Sequence, residues 1–160
     1  PGVGAFKDFM KKMKFNEIDK ILNYKIHNNV SILGLCVGFQ VLFQESNEHG
    51  LEKGLNLIEG KIKNFKELSK NIKVPHVGWN ECQLINKNKL FYNIEDKSDF
   101  YFTHSYILEN CKDQYIISKT NYEVNFVSSV NKGNIYGVQF HPEKSQENGL
   151  RLLKNFYERC

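Results

Sequence analysis

Gly34-Leu-Cys-Val-Gly38 ends an apolar run over residues 30–35 and opens a helix-patterned stretch over residues 38–46. A cysteine bracketed by glycines at a strand-to-helix turn is the arrangement of a nucleophile elbow, with Cys36 where a hydrolase would carry serine. The tight turn brings backbone against neighbouring elements, so its flanks lack side chains. At the first turn of a helix, the dipole is expected to hold Cys36 as a thiolate. The implied chemistry is nucleophilic attack.

A thiolate nucleophile needs a partner that manages its proton and protonates the leaving group. Gly137-Val-Gln-Phe-His-Pro-Glu-Lys-Ser145 offers one, an apolar strand that ends in His141-Pro142-Glu143. Residues two apart on an extended chain face the same side. Pro142 favours extended geometry at His141. Glu143 can then hold one imidazole nitrogen and leave the other for Cys36, which is the logic of a Cys-His-acid triad. Of the five histidines, His27 and His49 lie in polar, loop-like surroundings. His76 and His104 lie in denser contexts and compete as bases, but neither has a carboxylate two residues away.

Acyl transfer also needs donors for the oxyanion, each lowering the barrier by roughly 3–4 kcal/mol. The amide of Val37, directly after the nucleophile, is one candidate. The other is a glycine-rich loop, for which Pro1-Gly-Val-Gly-Ala5 is available. Composition leaves that loop open between a donor site and a plain turn before a helix.

These groups require a scaffold. Residues 5–14 and 17–28 read as helices, with Asn16 as a cap and Asp19 three residues on. Residues 30–35 lack alternation, as a parallel strand buried on both faces does. Residues 55–65, 79–85, 100–108, 115–120, 125–130 and 135–140 read as further strands. The last helix spans 146–159, with Leu150, Leu153, Phe156 and Tyr157 on one face. A parallel core joined to a more antiparallel second half predicts one α/β domain over residues 1–160, with its site at the carboxyl ends of strands.

The chain of 160 residues is long enough for a core without disulfides. Its net charge of +4 comes from scattered lysines, in segments such as 61–73 and 86–89. No arginine cluster or aromatic-basic platform supports a nucleic-acid role, and no apolar run reaches a membrane span. Cys82, Cys111 and Cys160 read as passive residues beside Cys36, with no zinc-type spacing to histidine. No metal or cofactor is expected, and a reducing cytoplasm is the expected compartment.

Gly34-Leu-Cys-Val-Gly-Phe-Gln40 with Gln139-Phe-His-Pro-Glu143 resembles the class I, triad-type, glutamine amidotransferases. Pro1-Gly-Val-Gly-Ala-Phe6, Pro75-His-Val-Gly-Trp-Asn80, Tyr101-Phe-Thr-His-Ser-Tyr106 and His141-Pro-Glu-Lys-Ser145 narrow the resemblance to glutaminase subunits of imidazole glycerol phosphate synthase. It covers essentially the whole chain. The resemblance implies a flavodoxin-like, mostly parallel sheet flanked by helices, with additional antiparallel strands. It implies that Cys36 attacks the glutamine side-chain amide, that His141 protonates departing ammonia, and that Glu143 orients His141. Gln40, Ser105 and Tyr106 would hold glutamine. Val37, with Val3 and Gly4 of the glycine-rich loop, would serve the oxyanion. Trp79, Tyr101 and Lys144 would face a TIM-barrel cyclase in a heterodimer. Ammonia would pass to that cyclase, which makes imidazole glycerol phosphate and aminoimidazole carboxamide ribotide in histidine biosynthesis.

Two departures lie near the site: Phe39 stands where methionine is common, and Thr103 where valine is common. Members of the family also carry a segment before the Pro-Gly-Val-Gly loop that includes the first strand of the sheet. This sequence is therefore expected to be a fragment lacking that strand; a protein that truly began at Pro1 would leave core strands without a ladder partner and aggregate. Two alternatives keep less of the reading. One is a paralogous glutaminase that feeds a surface-sugar amidating enzyme; the other is a non-catalytic binding subunit.

Overall fold

The computed structural model describes residues 1–2 and 4–160. Helices α1 (Phe6–Phe15) and α2 (Ile18–His27) lead into strand β1 (Ile32–Leu35) and the short helix α3 (Val37–Gln40). Three short strands follow, β2 (Glu45–Ser46), β3 (Glu52–Lys53) and β4 (Lys61–Asn64). Then come β5 (His76–Leu84), β6 (Ser98–His104), β7 (Tyr106–Glu109), β8 (Ile116–Tyr122), β9 (Val124–Lys132) and β10 (Ile135–Val138), with helix α4 (Gln146–Arg159) last.

The larger sheet runs β1-β10-β9-β8-β5-β6 and the smaller β3-β2-β4-β7. The α/β architecture is as expected, a mixed, curled sheet flanked by helices. Parallel pairing joins β1 to β10 and β2 to β4, while the other ladders are antiparallel. The antiparallel part is larger than expected because β8, β9 and β10 follow one another through tight turns, which join only antiparallel neighbours. Alternation along the strands splits the core between the two faces of the sheet. On β9 and β10, Phe126, Tyr136 and Val138 join a cluster with Phe100, Phe140 and Leu152 of α4. Val127, Val130 and Ile135 face the opposite cluster, with Phe6 and Met10 of α1 and Phe39 of α3.

Several local expectations give way to tertiary hydrogen bonding. The helix expected over 38–46 stops at Gln40, and the strand expected over 55–65 is reduced to β4. One cause accounts for both. Leu55 N donates to Val41 O (2.8 Å), Leu57 N to Leu42 O (2.9 Å) and Asn56 N to Phe43 O (3.1 Å). The carbonyls that would have continued the helix are occupied by the amides that would have formed the strand. The strand expected over 100–108 breaks at Ser105, where the chain leaves the larger sheet for the smaller one. Asn16 does not cap α2. Its side chain donates to Lys12 O (2.8 Å), and so closes the end of α1, while α2 starts from Glu17 in the left-handed region (φ 55°).

His76 and His104, opposite one another on β5 and β6, are buried in the core. His76 stacks on Phe102 and Tyr122. His104 Nδ1 donates to Tyr106 O (2.9 Å), which leaves its Nε2 to accept from His76 Nδ1 (3.1 Å). Burial pushes His104 down to about 3 and His76 down to about 4. Folded, the pair stays neutral where the unfolded chain, with ordinary histidines near 6.5, takes up protons. Their stabilising contribution is therefore complete above about pH 6.5 and falls as pH drops from about 6.5 through about 4 for His76 and about 3 for His104. Urea midpoints measured across that interval should decline, and less steeply for His76→Phe; equal slopes would contradict a buried neutral pair.

Candidate functional site

The parallel ladder of β1 on β10 positions the elbow. Its register pairs Gly34 with Gly137 and Leu35 with Val138, and Cys36 N donates to Val138 O (2.9 Å). Cys36 thus emerges beside Gln139, at the carboxyl end of β1, with φ 52° and ψ −109°. A non-glycine residue in that region is strained, a strain that recurs at functional sites. Gly34 has no alternative, because a Cβ there would run into the carbonyl oxygen of Gly38.

The expectation of a resting thiolate is corrected. Helix α3 has only four residues and offers a small dipole, whereas Cys36 is just 8% exposed. Burial pushes its thiol up to about 11; the Val37 N–H at the sulfur and Lys144 oppose this, while Glu143 and Glu48 add to it. Burial therefore favours the thiol form of Cys36, and a nucleophilic role would require a neighbouring base to take its proton.

His141 is pinned from several sides. Its N–H donates to Tyr101 O (2.8 Å), and Ser145 Oγ donates to His141 O (2.6 Å) while accepting from Tyr101 N (3.0 Å). His141 is extended as expected, and Pro142–Lys144 then forms a single 3₁₀ turn instead of continuing the extension. Glu143 still reaches back, with Oε1 2.7 Å from His141 Nδ1. A carboxylate there accepts, so Nδ1 carries the proton and Nε2 is the basic nitrogen. That Nε2 is buried and lacks a hydrogen-bond partner among the described residues. His104 and His76 spend their nitrogens on structure, and His27 and His49 are exposed.

A pocket of about 240 Å³ gathers these groups. Cys36, Val37, Gln40 and His141 line it, together with Gly4, Ser105 and Tyr106, so most of the residues expected at the site share one wall. Gly4, at φ 115°, adopts a conformation that side-chain-bearing residues rarely take. Val3, expected as an oxyanion donor, lies outside the described residues. The two departures split: Thr103 lines the pocket, and its carbonyl faces the Cys36 sulfur (3.9 Å), whereas Phe39 is core. Among the described residues, no group of three or more His, Cys, Asp or Glu side chains could hold a metal ion.

Two groups at the site escaped the sequence reading, one in the pocket wall and one buried against Cys36 and Gln40. Glu48 lines the wall, and its Oε2 accepts from Phe6 N (2.7 Å), tying the start of α1 to the pocket. It sits in a polar loop without periodicity, so no local signal marks it. Gln139 is wholly buried. Its signal was present, an amide inside the apolar run Gly137-Val-Gln-Phe140.

Trp79 and Tyr101, neighbours across β5 and β6, pack edge to face with centroids 6.0 Å apart. Lys144 Nζ lies 5.7 Å from the Tyr101 ring centre. The three residues expected at a partner surface form one cluster, with Trp79 46% exposed.

Residues 1–160 match the glutamine amidotransferase class-I family. The chain is 43% identical over 157 residues to imidazole glycerol phosphate synthase subunit HisH 1 of Campylobacter jejuni, covering 98% of this chain and 77% of that one. It is 45% identical over 162 residues to subunit HisH 2 of Methanococcus maripaludis, covering 100% and 79%. It therefore spans about three quarters of these relatives. Among solved structures, a glutamine amidotransferase superposes with a TM-score of 0.70 at 12% identity, over 96% of this chain and 76% of that one. PurLQS from Thermotoga maritima gives 0.69 at 20% identity, over 98% and 76%. At those identities the likeness is one of fold.

Ser145 joins the two backbone groups that hold His141 against β6. Ser145→Ala would leave the partly buried Tyr101 N–H without its acceptor and weaken that clamp, and should cost about 1–3 kcal/mol. A urea midpoint equal to that of the parent chain would show that the hydroxyl carries nothing.

Proposed function

The chain belongs to the class-I glutamine amidotransferase family, and from its 43% and 45% identity to synthase subunits we infer that it is the glutaminase subunit of an imidazole glycerol phosphate synthase. The observation that carries the catalytic reading is the unpartnered Nε2 of His141, oriented by Glu143 on Nδ1, in the pocket that also exposes Cys36. We propose these three residues as the catalytic triad of one glutaminase domain spanning residues 1–160.

His141 Nε2 takes the Cys36 proton as the sulfur attacks the side-chain amide carbon of glutamine. The carbonyl oxygen becomes an oxyanion, served by the Val37 N–H and the glycine-rich loop that ends at Gly4. His141 returns the proton to the departing nitrogen, which leaves as ammonia, and a glutamyl thioester remains. Water, deprotonated by His141, hydrolyses it to glutamate. Gln40, Ser105 and Tyr106 hold the substrate. A high resting thiol suits this scheme, because the thiolate then forms only as the base acts.

The ammonia is proposed to pass to a TIM-barrel cyclase subunit in a heterodimer, through the face that carries Trp79, Tyr101 and Lys144. The cyclase incorporates it into imidazole glycerol phosphate and releases aminoimidazole carboxamide ribotide, in the histidine pathway. The proposed compartment is the cytoplasm, where the four free cysteines stay reduced.

Ammonia release from glutamine, measured on the full-length subunit with a cyclase partner, tests the assignment. Cys36→Ala should remove at least about 10³-fold of the rate, and His141→Ala about 10²–10⁴-fold. Glu143→Gln should lose less, since Glu143 only orients the base. Substantial hydrolysis by Cys36→Ala, or loss in His104→Ala with His141→Ala harmless, would overturn these roles. Trp79→Ala should weaken recovery of the cyclase in a pull-down.

A further inference from the structure

We propose that Gln139 is a positioning residue of the glutaminase site: it sets which end of Gln40 faces the substrate and aims an N–H at the Cys36 sulfur. This rests on the reading of Cys36 as the nucleophile of a glutaminase.

The amide orientations follow from one unambiguous acceptor. The carbonyl oxygen of Tyr106 can only accept, so the Gln40 atom 3.3 Å from it is the nitrogen. That same nitrogen lies 3.1 Å from the Gln139 amide, which must therefore present its oxygen. The nitrogen of Gln139 is then directed the other way, and it lies 3.9 Å from Cys36 Sγ. Gln40 Nε2 is thus committed to Tyr106 and Gln139, which leaves Gln40 Oε1 as the acceptor for an N–H of glutamine. The sulfur, in turn, receives an amide hydrogen from inside the protein, on a line separate from His141.

Gln139 cannot turn elsewhere. It is 0% exposed, and its backbone N–H is held by Ser128 O at 2.9 Å in the ladder. Thr103 O faces the sulfur as an acceptor, so it favours the thiol, whereas Gln139 Nε2 and the Val37 N–H favour the thiolate. The charges that act on the sulfur are Glu143, Lys144 and Glu48, with His141 and neutral His104 in the same pocket wall. In a site that disfavours the charged sulfur through burial, a preoriented donor acts only as the charge develops.

Iodoacetamide labelling of Cys36 in the full-length protein, followed by mass spectrometry of the Cys36 peptide from neutral to alkaline pH, reads this without turnover. Gln139→Met keeps the length of the side chain but has neither N–H nor carbonyl. Labelling of Cys36 at neutral pH should fall about tenfold, with the profile displaced upward by about one pH unit. KM for glutamine should rise as Gln40 loses its fixed orientation. Gln139→Leu should behave alike and serves if the methionine variant does not fold. A merely structural role would lower the thermal midpoint and leave the labelling profile in place, and that result overturns the proposal. Failure of the glutaminase reading itself looks different, because Cys36→Ala would then still release ammonia.

Discussion

Everything at this site hangs on the parallel pairing of β1 with β10. One strand ends in the elbow and the other runs into the His141 turn, and the two motifs lie far apart along the chain. Register decides their meeting. Leu35 opposite Val138 and the bond from Cys36 N to Val138 O set Cys36 beside Gln139, two residues from His141. A slip of one residue would turn the side chains of the strand to the other face, and Cys36 and His141 would no longer share the pocket. The buried faces on both sides of β10 make such a slip costly, with Tyr136 and Val138 committed to one cluster and Ile135 to the other.

Burial has opposite consequences for the two kinds of titratable group around this pocket. It raises the Cys36 thiol and lowers His76 and His104, because in each case the charged form loses its hydration. His141 is just as buried but has a carboxylate at Nδ1 and an unclaimed Nε2. Pairing, not exposure, separates His141 from His76 and His104, whose nitrogens are engaged within the core. His104 lines the pocket wall, but its ring nitrogens are taken by Tyr106 O and His76, so among the described residues His141 is the candidate base with a ring nitrogen to spare.

Local pattern failed near the site, and the reason is the same in each place. The break at Ser105 turns one apparent strand into two, and it delivers Ser105 and Tyr106 to the pocket. The shortened α3 exchanges helical hydrogen bonds for bonds to the 54–58 segment, which keeps the elbow helix to four residues. Both are contacts between segments remote in sequence, and neither leaves a periodic trace. Functional sites are where such departures from local consistency concentrate.

What the sequence determined by itself was the inventory of chemistry. The Gly-x-Cys-x-Gly turn, the strand leading into His-Pro-Glu and the extent of the last helix are local patterns, readable because backbone sterics and side-chain spacing act over a few residues. They marked Cys36, His141 and Glu143 as candidates and matched the span of α4. The face that helix buries was not readable, since Leu150 and Tyr157 are exposed while Leu152 and Asn155 are buried. Tertiary structure decided the rest. It set the protonation of Cys36, since desolvation depends on what packs around a group and in this fold outweighed a short helix dipole. It distinguished His141 from His104 as a candidate base, since carbonyl and imidazole partners from β7 and β5 take the nitrogens of His104. It also brought Glu48 to the pocket and Gln139 against Gln40 and the Cys36 sulfur, contacts that exist only once distant segments are side by side.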